Sequence, residues 1–223
     1  MKILIIFAHP EQKSFNGAMF HTAIETLRRS GHQVKTSDLY EMNFNPVSDR
    51  HNFTTVLDHS FLKLGREEIH ATKHDGFTTV IADEQDKLEW CDLLIWQFPL
   101  WWFSVPAILK GWVDRVFASG KIYGGGRVPF VSGKFTGKKV LLSVTTGSPA
   151  THYLPTGDYG DIQGVLRHVH RGMLEYVGFS LLAPQINYGV AHLNDNQRKD
   201  LLDNWSARLE DIFHEEQITG GRF

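Results

Sequence analysis

Ile3-Leu4-Ile5-Ile6-Phe7-Ala8 is an unbroken apolar run closed by His9-Pro10. Its length is that of a strand, and the lack of alternation means that both faces are buried. A strand of this kind belongs inside a parallel sheet with helices on either side, so this short segment sets the class of fold. Four further runs repeat the theme, at 33–39, 93–98, 140–145 and 184–188. Helical spacing fills the intervals. Phe15, Met19, Ala23 and Leu27 share one face of a helix over 14–29, with Gly31 placed to end it. Further helices are expected at 84–89, where a helix leads into Cys91-Asp92, and at 106–117, with Pro106 in the first turn. Two more are expected at 161–177, capped by Gly178, and at 194–213. Five strands alternating with helices predict an α/β fold. It is a doubly wound five-stranded parallel sheet with helices on both faces, and its ligand loops lie at the carboxyl ends of the strands.

Residues 1–223 are expected to form a single domain, with 45–79, polar and rich in His, Asp and Lys, as an excursion from it. Lys+Arg 23 against Asp+Glu 25 leaves a formal charge of -2, which removes the electrostatic case for nucleic acid or an anionic membrane. Hydrophobic residues at 42% exclude a disordered chain. The stretch 93–109 is interrupted by Gln97, Ser104 and two prolines and falls short of the ~20 apolar residues of a spanning helix. The N-terminal run is too short for a secretory signal. No membrane anchor is therefore expected. A lone cysteine, Cys91, cannot form an internal disulfide, which reads as a cytoplasmic chain. His51, His59, His70 and His74 fit no zinc spacing and read as surface histidines, so no metal is expected.

Three loops at strand ends carry the chemistry. In the first, 8–16, Ser14 is a helix N-cap whose neighbouring free N–H groups attract phosphate, with His9 and Lys13 as further donors; a capped helix beside a surface histidine reads equally well. It has no Gly-rich dinucleotide fingerprint. The second, 97–106, runs through Pro99, Leu100, Trp101, Trp102 and Phe103. Three aromatic residues in a row point in different directions, so some face a planar apolar ligand or a subunit interface. The third, 145–153, offers the hydroxyls of Thr145, Thr146 and Ser148 around Gly147, as a ligand loop or an ordinary turn. One loop for phosphate, one to stack and one to read polar ring edges together match what a flavin nucleotide needs.

The segments ILIIFAHPEQKSFN, SDLYEMNFNP, QFPLWWFSVPAILKGWVDRVF and LLSVTTG resemble the flavodoxin-like NAD(P)H:quinone reductases, the DT-diaphorase group, over nearly the whole chain. The resemblance implies a flavodoxin-like fold, FAD, and an NAD(P)H dehydrogenase (quinone) activity. Two electrons would pass as hydride from NADH or NADPH through FAD to a quinone, by a ping-pong route. His9, Phe15 and Asn16 then match positions around the FAD pyrophosphate and ribityl chain, and Arg198 one near the adenylate. Leu100, Trp101, Trp102 and Phe103 match the segment against the isoalloxazine, where Trp102 and Phe103 also meet substrate. Thr145, Thr146 and Gly147 match the loop on the pyrimidine side. Tyr153 matches the catalytic tyrosine. Tyr123 and Tyr176 match aromatic positions that reach into the partner's pocket in a family homodimer, where they would help bind substrate. Tyr159 stands where DT-diaphorase has a histidine, which makes Tyr159 a candidate in proton transfer. The second quinone reductase of the family has a metal site, whose helix histidines correspond here to Arg171 and Glu175, so the resemblance too implies no metal. Other readings of the same pocket are a nitro- or azo-reductase and a flavoprotein regulatory subunit of a membrane transporter.

Overall fold

The computed structural model describes residues 1–221; positions 222–223 of the expected domain lie outside the described residues. β1 (Lys2–Phe7) leads to α1 (Phe15–Arg29) and β2 (Gln33–Asp38). After a long polar stretch come α2 (Leu64–His74) and α3 (Thr79–Trp90). β3 (Leu93–Pro99), α4 (Ala107–Val116), β4 (Lys139–Thr145) and α5 (Ile162–Val169) follow. The chain continues through β5 (Ser180–Leu182), β6 (Gln185–Asn187), α6 (Asp195–Glu210) and β7 (Gln217–Ile218).

The sheet order is β2-β1-β3-β4-β5-β7, with β6 also on β4. β1 is central and parallel to both neighbours, with Ile5 level with Thr36 on one side and Ile95 on the other. The chain moves one way from β1 to β2 and the other way from β3 onward. The loops after β1 and β3 therefore diverge and leave a crevice between them. Alternate residues feed two cores, as expected for a doubly wound sheet. Ile3, Ile5, Phe7, Leu93, Ile95 and Leu141 pack on α1 and α6; Leu4, Ile6, Leu94, Trp96, Leu142 and Val144 pack on α3, α4 and α5.

The sheet corrects the sequence expectation in two places. The fifth parallel strand is split: β5 pairs with Lys139 and Val140, β6 with Ser143 to Thr145. Pro184 lies in the gap, where a residue without an N–H cannot continue the ladder. β7 then adds an antiparallel strand to β5. The helix expected over 161–177 begins at its Asp161 cap but stops at Val169. A π turn at His170–Leu174 and a 3-10 turn at Glu175–Val177 complete it before Gly178 at φ 102°. That broken stretch receives the end of the chain: Glu175 pairs with Arg171 (3.3 Å) and accepts the Gly220 amide (3.0 Å).

The excursion at 45–79 contains a full helix, α2, and is tied down by α4. Arg115, buried, donates Nε to Asn52 (2.7 Å) and Nη1 to the Asn45 carbonyl (2.7 Å). None of the described helices is long and apolar enough to cross a membrane.

Candidate active site

The first loop folds tightly between β1 and α1. A Cβ at Gly17 would sit 2.0 Å from the Gln12 carbonyl oxygen, so only glycine lets the loop turn against the helix. Ser14 caps α1 by accepting the Gly17 amide (3.1 Å). His9 Nδ1 lies 3.0 Å from the Glu11 amide and 3.1 Å from the Glu11 carbonyl, so the loop backbone holds the ring, and Nε2 has no partner among the described residues. A groove of ≈390 Å³ runs from this helix start along Phe15 to Val190, Ala191 and Arg198. Lys13, Ser14 and Phe15 of the first loop and Arg198 of α6, far apart in the chain, thus line one groove with a cation from each segment.

The second loop is a miniature hairpin. Trp101 and Ser104 exchange backbone hydrogen bonds (3.1 and 3.0 Å) across Trp102 and Phe103. Those two residues have φ of 52° and 58°, the left-handed region at both central positions of a primed turn. Gly and Asn are the usual occupants, and bulky side chains there are outliers. The side chains they present are exposed: Trp101 41%, Trp102 96% and Phe103 45%. Pro99 is buried as the last residue of β3, level with Thr145, and the Leu100 amide donates to the Thr145 carbonyl (2.8 Å).

The third loop leaves β4 through two buried threonines. The Thr146 hydroxyl donates to the Ser148 carbonyl (2.7 Å) and accepts the Gly189 amide (3.3 Å), so it shapes the loop. The Gly147 and Ser148 amides have no hydrogen-bond partner among the described residues, and a Cβ on Gly147 would meet open space. Tyr153, buried, lies in an aromatic group with Tyr159 (centroids 5.4 Å) and Tyr188 (5.6 Å). Burial pushes its pKa up, the neighbouring Tyr159 adds to the rise, and a hydrogen bond with Thr146 opposes it. Tyr153 is therefore a neutral donor at physiological pH.

Direct contacts join the three loops. His9 and Trp101 rings lie 6.3 Å apart, Phe103 meets Tyr159 edge-on at 5.3 Å, and Asn16 Nδ2 donates to Thr145 Oγ1 (2.6 Å). Ser148 approaches the Tyr159 hydroxyl at 3.5 Å. Free amides, a protruding aromatic turn and a buried phenol thus surround one crevice at the topological switch.

Tyr123 and Tyr176 lie apart from these loops. They meet edge-on at 6.3 Å and line a separate cavity of ≈440 Å³ with Glu68, His168 and Met173. His168 joins that cavity to the base of the aromatic turn, 2.9 Å from Ser104 Oγ. Burial raises the Glu68 pKa, against the Ser119 amide that donates to it (2.7 Å). Among the described residues, no three His, Cys, Asp or Glu side chains are grouped as a metal would need.

Two residues of the site were given no role from the sequence. Tyr188 packs on Tyr153 although it comes from the loop after β6. Gln97, in an otherwise apolar strand, donates to Asn16 (2.8 Å); a lone amide within such a strand was the signal for it.

Comparison with known proteins bears on what this crevice holds. The model of the family described as a flavodoxin-like fold matches residues 1–210. The chain is 44% identical to a ribosyldihydronicotinamide dehydrogenase (quinone) of Rattus norvegicus, over 97% of this chain and 94% of the relative. It is 42% identical to NAD(P)H dehydrogenase (quinone) 1 of Cavia porcellus, over 96% of this chain and 78% of that one. A Klebsiella pneumoniae crystal structure assigned as a quinone reductase superposes with a TM-score of 0.94 at 39% identity, covering 98% of this chain and 87% of that chain.

Proposed function

The chain belongs to the flavodoxin-like fold family, in its NAD(P)H:quinone reductase group, and from that premise we propose that it binds FAD and moves two electrons from a reduced nicotinamide to a quinone. It is an oxidoreductase of the NAD(P)H dehydrogenase (quinone) class. One observation carries the cofactor reading. The three strand-end loops meet around a single crevice, and the first of them continues into a groove that ends at Arg198. A flavin mononucleotide ends at its phosphate, which the start of α1 can hold. A further groove with a cation at its far end suits the adenylate half of a dinucleotide.

Each residue then has a task. The free amides at the start of α1, Lys13 and His9 Nε2 hold pyrophosphate, and Phe15 and Arg198 flank the adenylate. Trp101, Trp102 and Phe103 wall the planar ring, with Leu100 beneath. Gly147 and Ser148 present amides to its polar edge. The bound flavin supplies hydride acceptance and delivery of an electron pair. Tyr153, held neutral by burial, donates a hydrogen bond where negative charge develops on reduction. Tyr159 packs between Tyr153 and Phe103 and stacks on His152 (4.9 Å), within reach of solvent for the proton. Donor and quinone use the same aromatic-walled face in turn, so the donor leaves before the acceptor enters. The same reading makes the protein a cytoplasmic homodimer folded as one domain. The buried Cys91 thiol, with its pKa pushed up to about 12 by burial, suits the cytoplasmic assignment.

A second reading concerns the donor. The chain is 44% identical to the relative named for a ribosyldihydronicotinamide and 42% identical to the one named for NAD(P)H, so a ribosyldihydronicotinamide stands beside NADH and NADPH as a donor. The test of both is initial-rate kinetics with a soluble quinone against NADH, NADPH and N-ribosyl-dihydronicotinamide. Parallel double-reciprocal lines support the alternating route, and the donor with the highest kcat/KM is the substrate. Intersecting lines would rule the route out.

A further inference from the structure

The carboxyl ends of β3 and β4 change character on the face toward α1. Leu93 and Ile95 give way to Gln97, and Leu141 gives way to Ser143 and Thr145. Gln97 and Ser143 are register partners on adjacent strands, 1% and 0% exposed. Burying amides and hydroxyls here costs free energy unless they are paired, and one relay links the Gln97 amide nitrogen, Asn16 and the Thr145 hydroxyl. Gln97 Nε2 donates to Asn16 Oδ1 (2.8 Å), and Asn16 Nδ2 donates to Thr145 Oγ1 (2.6 Å). The relay joins β3, α1 and β4, the three elements from which the site loops spring.

Its direction has a consequence. Among the described residues, Gln97 Oε1 is buried without a partner, as is Ser143 Oγ. Reversing both amides would leave the two N–H bonds of the Gln97 amide facing no acceptor, which costs more than one under-used carbonyl. The relay therefore runs toward Thr145. The Thr145 hydroxyl accepts from Asn16, and its own proton has no acceptor among the described residues. A hydroxyl that already accepts one strong hydrogen bond is oriented by it and keeps its proton free to donate to what it meets next.

We propose that Gln97 is a positioning residue that, through Asn16, fixes the Thr145 hydroxyl as a donor toward the bound cofactor, matching the site to an acceptor atom on it. The inference rests on the flavin reading above. A donor held in this sense strengthens as its acceptor gains charge, so the relay also favours the reduced cofactor.

The test is a double-mutant cycle between Gln97→Met and Thr145→Val. It is read by FAD dissociation constant, from flavin fluorescence quenching on reconstitution of the apoprotein, and by the reduction potential of the bound flavin. Alone, Gln97→Met should weaken FAD about tenfold, the scale of one hydrogen bond, and lower the potential. In a Thr145→Val background it should cost less than about twofold, because its effect passes through that hydroxyl. Equal losses in both backgrounds, or no loss with Gln97→Met, would overturn the relay. Should Gln97→Met fail to fold, Thr145→Val with Thr145→Ser decides. Serine should restore both affinity and potential, and failure to do so overturns the proposal. Wild-type apoprotein that binds neither FAD nor FMN would instead overturn the flavin reading itself.

Discussion

Trp102 holds a left-handed backbone while nearly all of its side chain, 96%, faces away from its own chain. The indole itself packs on almost nothing among the described residues that would offset that strain, which costs roughly 1–2 kcal/mol per bulky residue. Strain without local compensation marks a residue kept for what it meets. Asparagine tolerates this backbone, so Trp102→Asn should stabilise the apoprotein by about 1 kcal/mol, a rise of roughly 2–4 °C in Tm. The same change should lower kcat/KM for quinone. A fall in Tm by calorimetry would show that the indole supports the fold instead. Tyr153 tests the chemistry. Its raised pKa keeps the phenol protonated through the neutral range. Tyr153→Phe should slow flavin reduction by about 10²–10³ in stopped flow, less if water replaces the hydroxyl, while flavin stays bound. Tyr159→Phe should matter less, with weak pH dependence across pH 6–8; if it proves the more damaging change, the proton leaves through Tyr159. Runs of aromatic or hydroxyl residues after a strand were legible in the sequence. The turn that exposes Trp102 was not, because its φ values contradict what Trp and Phe ordinarily adopt.

Among the elements, the π turn after α5 is the least expected. Helical spacing continues through 170–177, so the sequence reads one long helix. The broken stretch receives Gly220 on Glu175, a tertiary contact that no local pattern encodes. His170 opens that turn, buried, with Nε2 unpartnered and its pKa lowered to about 4 by burial first and His168 second. Its folded value lies below the unfolded 6.5, so the stability it contributes is full above pH 6.5 and lost as pH falls toward 4. Between pH 7 and pH 5 this amounts to about 2 kcal/mol. Urea unfolding of wild type should show that loss, and His170→Gln should remove most of it. An unchanged acid limb in the variant would mean that other groups set it. The split of β5 from β6 has a similar origin. Pro184 was visible in the sequence, but Ser180–Leu182 is too short a run to read as a strand. The strands β1 to β4 and the start of α6 were legible because their patterns are local. Asn194 and Gln197 form a reciprocal capping box three residues apart.

At the scale of the molecule, the proposed reading gives the three loops the floor, the edge and the phosphate end of a flavin site, while Tyr123 and Tyr176 stand in a cavity of their own. On the proposed reading, a second copy closes the pocket that the exposed Trp102 walls on one side. Light scattering should therefore show a homodimer at assay concentrations, and an active monomer would refute the shared pocket. The central claim is that this crevice and its groove hold FAD. The most direct measurement is the absorption spectrum of purified or reconstituted protein, followed by acid release and chromatography of the cofactor. The account predicts a yellow protein that releases FAD, near one per chain, and bleaches on anaerobic addition of a reduced nicotinamide. A colourless protein that takes up no flavin would contradict it, and release of FMN alone would show that the groove to Arg198 has another use.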